Sequence, residues 1–226
     1  MNTQIVFEHD DWLLTYKPPG SDFHDDGGQL GWFNEVQSDL NMTLYPVHRL
    51  DKPTSGLVLM AKSLDACRTI NELFAGREME KWYLALVPNT MKKKQGAIIG
   101  DMEKSRRGAF KLLPTKRNPA VTQFFSYSLE PGVRICLLKP KTGKTHQLRV
   151  ALKSLAAPII GDKLYGGVES DRVYLHAFAL RFQYGGDFYE FSLPPTEGKY
   201  FQSQGFLEWL ASHSAPWLLN WPILKK

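Results

Sequence analysis

An α+β fold, with a largely antiparallel mixed sheet flanked by helices and loops, is predicted from three features of this 226-residue chain. Segments with strand character outnumber those with helical periodicity, several are joined by hairpin turn signals, and strand and helix do not alternate as βαβ winding would require. A composition of 43% apolar and 23% charged residues suits a globular protein that buries a core.

Taken in order, Ile5–Phe7 and Trp12–Tyr16 are short apolar and aromatic runs, and Lys17-Pro18-Pro19-Gly20 turns the chain after them. Gly56–Lys62 reads as a buried strand. A helix is expected over Leu64–Gly76, with Ser63 as its N-cap and Cys67, Ile70, Leu73 and Phe74 on one face. Trp82–Val87, Val121–Tyr127 and Val133–Leu138 are further strands, the last two divided by Pro131-Gly132. A second helix is expected over Thr145–Ala156, capped by Thr145, with Leu148, Leu152, Leu155 and Ala156 inward and His146, Arg149 and Lys153 on the opposite face. Tyr174–Tyr184 and Phe188–Leu193 form a hairpin through Gly185-Gly186-Asp187. A third helix over Lys199–His213, with Phe206, Leu207 and Leu210, ends the series. No repeat and no Gly/Ser- or Pro-rich linker divides residues 1–226, which therefore read as a single domain.

Several function classes are excluded. The two cysteines, Cys67 and Cys136, are far apart and supply neither a disulfide framework nor a cysteine zinc site, which suits a reducing cytoplasm. The N-terminus lacks the apolar stretch of a signal peptide, and no apolar run approaches the length that spans a bilayer, so no membrane association is expected. His9, His24, His48, His146, His176 and His213 lack zinc-ligand spacing, and neither a G-x-G-x-x-G nor a P-loop is present. No metal and no nucleotide cofactor is expected.

The net charge of +5 is unevenly distributed. Between Met91 and Pro119, nine cations (Lys92, Lys93, Lys94, Lys104, Arg106, Arg107, Lys111, Lys116, Arg117) stand against Asp101 and Glu103, a local balance of +7 that leaves −2 for the rest. Lys139–Lys153 adds five cations and no acid, whereas residues 1–30 are net −5. Cations clustered in this way gain counterion-release energy on a phosphate backbone, so one face is expected to meet a polyanion; a solvated loop is the competing reading.

Two segments concentrate chemistry. In Val47-His48-Arg49-Leu50-Asp51-Lys52-Pro53-Thr54-Ser55-Gly56, three ionisable side chains fall within four positions, just ahead of a strand that would hold the loop rigidly. An Asp capping a turn, with Thr54 and Ser55 bonded to the backbone, would explain the same residues without any activity. In Lys141-Thr142-Gly143-Lys144-Thr145-His146-Gln147-Leu148-Arg149, a turn leads into a helix whose first N–H groups favour an anion. If Arg149 faced Asp51, it would keep that carboxylate ionised; a solvent-facing arginine is the alternative.

His48-Arg49-Leu50-Asp51 with Thr54-Ser55-Gly56 resembles the hallmark of the RluA-type RNA pseudouridine synthases, which isomerise uridine in RNA to pseudouridine. Lys17-Pro18-Pro19-Gly20, Lys81–Val87, Thr142–Arg149, Pro158–Gly166 and Leu175-His176-Ala177 follow in the family's order, and the resemblance covers about residues 10 to 195. It implies a pseudouridine-synthase-like catalytic domain without a separate N-terminal RNA-binding domain. Asp51 would be the catalytic aspartate, Tyr83 the aromatic that stacks on the target base, and Arg149 the ion partner of Asp51. Arg49 would resemble the arginine that enters the RNA stack when the uridine flips out, a step required because C5 and the glycosidic bond are inaccessible within a stacked helix. His48, Lys144, His146, Lys92, Lys93, Lys94, Arg106 and Arg107 would line the RNA path. The partner would be a tRNA or rRNA stem-loop, met by a monomer with no obligate protein partner. The chain departs from the pattern at Lys144, where the family usually has arginine, and at Ala151, where histidine is common, so a planar two-pronged phosphate contact is lost at the first.

Three alternatives bear on the same residues. A uracil-releasing nucleosidase or glycosylase would also break the base–ribose bond and would be told apart by its free-base product. A non-catalytic RNA-binding module would have no need of a carboxylate beside a phosphate-rich ligand. A serine hydrolase built from Ser55, His48 and Asp51 lacks the G-x-S-x-G context.

Overall fold

The computed structural model describes residues 3–224. In chain order its elements are β1 (Ile5–Glu8), β2 (Trp12–Lys17), α1 (Trp32–Leu40), β3 (Tyr45–Pro46), β4 (Ser55–Ala61), α2 (Leu64–Ala75), β5 (Glu80–Pro88), β6 (Gln95–Lys104), β7 (Phe110–Leu113), β8 (Ala120–Glu130), β9 (Val133–Pro140), α3 (Gln147–Ser154), β10 (Leu175–Tyr184), β11 (Asp187–Ser192) and α4 (Gln204–Ala211). Among the described residues, no helix is long and apolar enough to cross a membrane. Contacts gather into two units, one of Met1–Glu80 with Ala177–Leu193 and the other of Lys81–His176 with Pro194–Lys226. Of the three crossings between units, two lie inside strands, β5 and β10, and the third falls between Leu193 and Pro194, directly after β11. A sequence without linker composition therefore reads as one domain.

In the first unit β4 lies between β2 and β10, with β1 outside β2, β3 on β4 and β11 on β10. All seven residues of β4 are buried, which explains its unbroken apolar run: a strand covered on both faces has no polar positions to alternate with. Trp12, Leu14, Leu57, Leu59, Ala66, Ile70 and Phe182 form the core there, so α2 closes one face through Ala66 and Ile70. The Ser63 hydroxyl accepts the Ala66 N–H at 3.1 Å and caps α2 as expected. Tyr184 pairs with Asp187 across Gly185 (φ 62) and Gly186 (φ 97), the two positive φ values that a tight hairpin turn requires. Helix α1 was not expected. It follows Gly31, which makes no side-chain cap, and it buries only Trp32, Phe33 and Val36, too few turns to display a period.

In the second unit the order is β5-β9-β8-β6-β7, each neighbouring pair antiparallel. Hairpin β6–β7 also escaped the sequence pattern, because its outer strand pairs Glu103 with Lys111 and Lys104 with Phe110, mixing charge into positions where alternation is sought. Helix α3 begins at Gln147 rather than Thr145, since His146 adopts the left-handed conformation (φ 58) that helix propagation forbids. Thr145 is therefore not its cap. Helix α4 is capped by Ser203 and runs shorter than the expected Lys199–His213.

Candidate active site

The segment bearing Asp51 joins β3 to β4 in the first unit. Val47 and Leu50 are buried and anchor it, which leaves Arg49 exposed and Asp51 half-buried. The Thr54 N–H donates to the Asp51 carbonyl at 2.9 Å and closes the turn. A single buried cation fixes the whole exit: the Lys17 ammonium donates to the carbonyls of Pro18 at 3.0 Å, Lys52 at 3.2 Å and Thr54 at 3.2 Å. Lysine needs such partners, because its desolvated charge is costly without them. The Lys17-Pro18-Pro19-Gly20 turn and the Asp51 loop are thus one assembly, joined again by the Gly20 N–H on the Lys52 carbonyl at 2.8 Å. Gly56 then enters β4 at φ +119, where a Cβ would stand 2.2 Å from the Ala177 carbonyl oxygen, so no other residue fits. The Nε2 of His48 accepts the Leu59 N–H at 2.9 Å and its ring packs on Phe74 at 5.3 Å. An Nε2 that accepts a backbone bond does not serve Ser55 as a general base.

Tyr83 and Arg149 belong to the second unit. Tyr83 stands on β5 opposite Leu138 of β9, between buried Trp82 and Leu84, and its alternate position leaves it half-buried on the face it shares with Lys81. Burial pushes the Lys81 ammonium down to about 8. Its Nζ lies 3.8 Å from the place a Cβ on Gly143 would take, so that glycine leaves room for the lysine.

The Thr142–Arg149 segment is held from within. The Gln147 side-chain carbonyl accepts the Thr142 hydroxyl at 2.7 Å and the Lys144 N–H at 3.0 Å, and its amide donates to the Val121 carbonyl at 3.1 Å. The Lys144 ammonium donates to the Asn118 carbonyl. Arg149 is only 5% exposed, which corrects the expectation that it lies on the open face of its helix. Its Nε and Nη2 donate to Asp162 Oδ2 at 2.7 Å and Oδ1 at 2.8 Å, the two-pronged geometry particular to arginine. The guanidinium also lies over the Tyr165 ring at 4.9 Å. The Tyr165 hydroxyl in turn meets His146 Nδ1 at 2.8 Å and accepts the Phe110 N–H at 3.0 Å.

The basic stretch is divided by the fold. Lys92, Lys93 and Lys94 are exposed ahead of β6, whereas Arg106 and Arg107 are exposed at the tip of hairpin β6–β7. The ten residues of β6 separate the two groups by roughly 30 Å, so they form two basic patches rather than one strip. Lys139 does not belong to a polyanion face either: it is buried, with its ammonium 4.9 Å from the centre of the Trp82 ring. Asp162, Tyr165 and Lys17 carry roles that the sequence reading did not assign. Asp162 left one signal, as the first acid after a five-cation run that contains an arginine in need of a counter-charge.

A family model described as RNA pseudouridylate synthase matches residues 11–154, more than half of the chain and inclusive of Asp51, Tyr83 and Arg149. A protein of Haemophilus influenzae named as an uncharacterized RNA pseudouridine synthase is 46% identical over 203 residues, covering 88% of this chain and 91% of its own. A dual-specificity RNA pseudouridine synthase RluA of Pasteurella multocida is 32% identical over 84% of this chain and 93% of its own. Among solved structures, human RNA pseudouridylate synthase domain containing 1 superposes with a TM-score of 0.73 at 26% identity, over 86% of this chain and 84% of the human one.

Proposed function

The chain belongs to the RNA pseudouridylate synthase family and is an isomerase that turns uridine in RNA into pseudouridine; we propose that Asp51 is the reacting group and that a structured tRNA or rRNA stem-loop is the substrate. The target uridine flips out of its stack, with Arg49 entering the gap. The Asp51 carboxylate acts as nucleophile or base on the ribose–uracil unit, the glycosidic bond breaks, the uracil rotates, and a bond forms between C5 and C1′ with loss of the C5 proton. Tyr83 stacks on the base. Arg149 is the ionic partner of the carboxylate. His48, Lys144, His146, Lys92–Lys94, Arg106 and Arg107 guide the RNA, with the hairpin tip and the lysine triplet touching separate phosphates. The protein works in the cytoplasm as a monomer, and its 226 residues act as one catalytic domain.

The observation that carries this reading is the construction of the Asp51 loop. One buried lysine on three carbonyls and one glycine that tolerates no side chain hold the carboxylate-bearing turn rigidly, as a reacting group requires. That the substrate is RNA is supported by the Pasteurella multocida relative, which is named an RNA pseudouridine synthase. The test is Asp51→Asn. Pseudouridine formation should disappear while RNA affinity stays near wild type, since the change removes the reacting oxygen and no phosphate contact. Retained turnover would overturn the assignment.

A further inference from the structure

Arg149 is held by a carboxylate more than a hundred residues beyond Asp51 in the chain. Asp162 is 1% exposed, and both its oxygens are taken by the guanidinium, one by Nε and one by Nη2. That side-on fork fixes the plane of the guanidinium and its rotation within the plane. Tyr165 supports the face from 4.9 Å, and its own ring is fixed by the His146 and Phe110 bonds to its hydroxyl.

The carboxylate itself has little freedom. Gly161 stands at φ +86, where a Cβ would meet the Arg172 carbonyl oxygen at 1.9 Å, and a Cβ on Gly167 would come within 2.9 Å of the Asp162 nitrogen. The Asp162 N–H donates to Ile159, and its carbonyl accepts the N–H groups of Tyr165 at 3.1 Å and Gly167 at 2.9 Å. An ion pair meant only for stability needs no such preparation, since buried pairs contribute little net stability over apolar residues of the same volume. Orientation is what a rigid fork supplies.

We propose that Asp162 is a positioning residue of the isomerisation: by holding the Nε–Nη2 edge, it fixes the orientation in which the Arg149 guanidinium takes part in the reaction. The proposal rests on the reading of Arg149 as the ionic partner of Asp51. Asp162 touches no reacting atom and acts only through the arginine.

The test measures tritium release under single-turnover conditions, with enzyme in saturating excess over [5-³H]uridine-labelled bulk RNA from cells lacking the protein. With folded enzyme still in saturating excess, the rate constant does not depend on the fraction of enzyme that is folded. Asp162→Asn keeps the shape but offers one acceptor where two donors point, and it should lower the rate constant about 100-fold, the scale of a small displacement at a reacting group. RNA affinity should change less than about two-fold by this account, because no phosphate contact is altered. A folded Asp162→Asn protein with the wild-type rate constant overturns the proposal. If Asp162→Asn fails to fold, Asp162→Glu decides: it keeps the charge and shifts the fork by one methylene, so a reduced rate constant supports positioning and an unchanged one overturns it. Arg149→Lys separates the two levels. A slow Arg149→Lys beside a fast Asp162 variant sinks the positioning role alone, whereas wild-type rates in both also sink the assignment of Arg149.

Discussion

Replacing Lys17 with methionine tests whether the turn that carries Asp51 is built as described. Methionine fills the volume of the buried stem and lacks the ammonium, so the change isolates the head group. Lys17 is fully buried, and three carbonyl oxygens lie within 3.2 Å of its Nζ. The Lys52 carbonyl keeps the Gly20 N–H at 2.8 Å, while those of Pro18 and Thr54 lose this donor. A hydrogen bond to a charged group contributes about 1.5–3 kcal/mol, and two such losses come to roughly 3–6 kcal/mol. Relief from burying a cation offsets part of this, leaving a net destabilisation of about 3 kcal/mol. Urea unfolding followed by tryptophan fluorescence reads it, and the single-turnover rate constant should fall about ten-fold as the Asp51 turn loosens. A loss below about 1 kcal/mol together with a normal rate constant would show that the lysine does not organise the loop.

Gly56→Ala should give an unfolded or severely destabilised protein, because its Cβ would sit 2.2 Å from the Ala177 oxygen at a φ of +119; a soluble variant with a normal melting temperature would contradict the packing. Lys81 carries a pH signature. Its folded-state value of about 8 lies below the ordinary 10.5, so the unfolded chain binds more protons between those pH values and stability rises with pH across that window, by up to ~3 kcal/mol. Lys81→Met should flatten that part of the urea-stability profile, and an unchanged slope refutes the assignment. Arg106→Ala combined with Arg107→Ala should reduce the slope of log affinity against log salt by roughly 1.5, as should the triple alanine replacement of Lys92, Lys93 and Lys94 by about 2. Because the two groups lie at opposite ends of β6, their effects should add. An unaltered slope returns either group to an ordinary solvated surface.

Much of this was legible in the sequence where the physics is local. Strand β4 announced itself through an unbroken apolar run, α2 through Ser63 and its apolar face, and hairpin β10–β11 through two glycines. The Asp51 segment and Tyr83 were visible as motifs. Other features were hidden, each for its own reason. Hairpin β6–β7 carries charges on an outer strand, which masks the period of two. Helix α3 starts late because His146 takes a backbone conformation that no side-chain pattern reports. The partners of buried charge, Lys17 with three carbonyls and Arg149 with Asp162, depend on chain segments brought together from a distance, and residue type alone says only that such partners must exist. The division of the +7 stretch into two patches likewise needed the length of β6, which a charge count does not contain.

Isomerisation of uridine to pseudouridine exchanges the bond between C1′ and N1 for one between C1′ and C5, with the base never leaving the RNA. Incubating [5-³H]uridine-labelled RNA from cells lacking the protein with the purified enzyme tests it directly. Tritium should pass into water in a one-to-one ratio with pseudouridine found on nuclease digestion, no free uracil should appear, and Asp51→Asn should do neither. Release of uracil, or tritium loss that survives in Asp51→Asn, would contradict it.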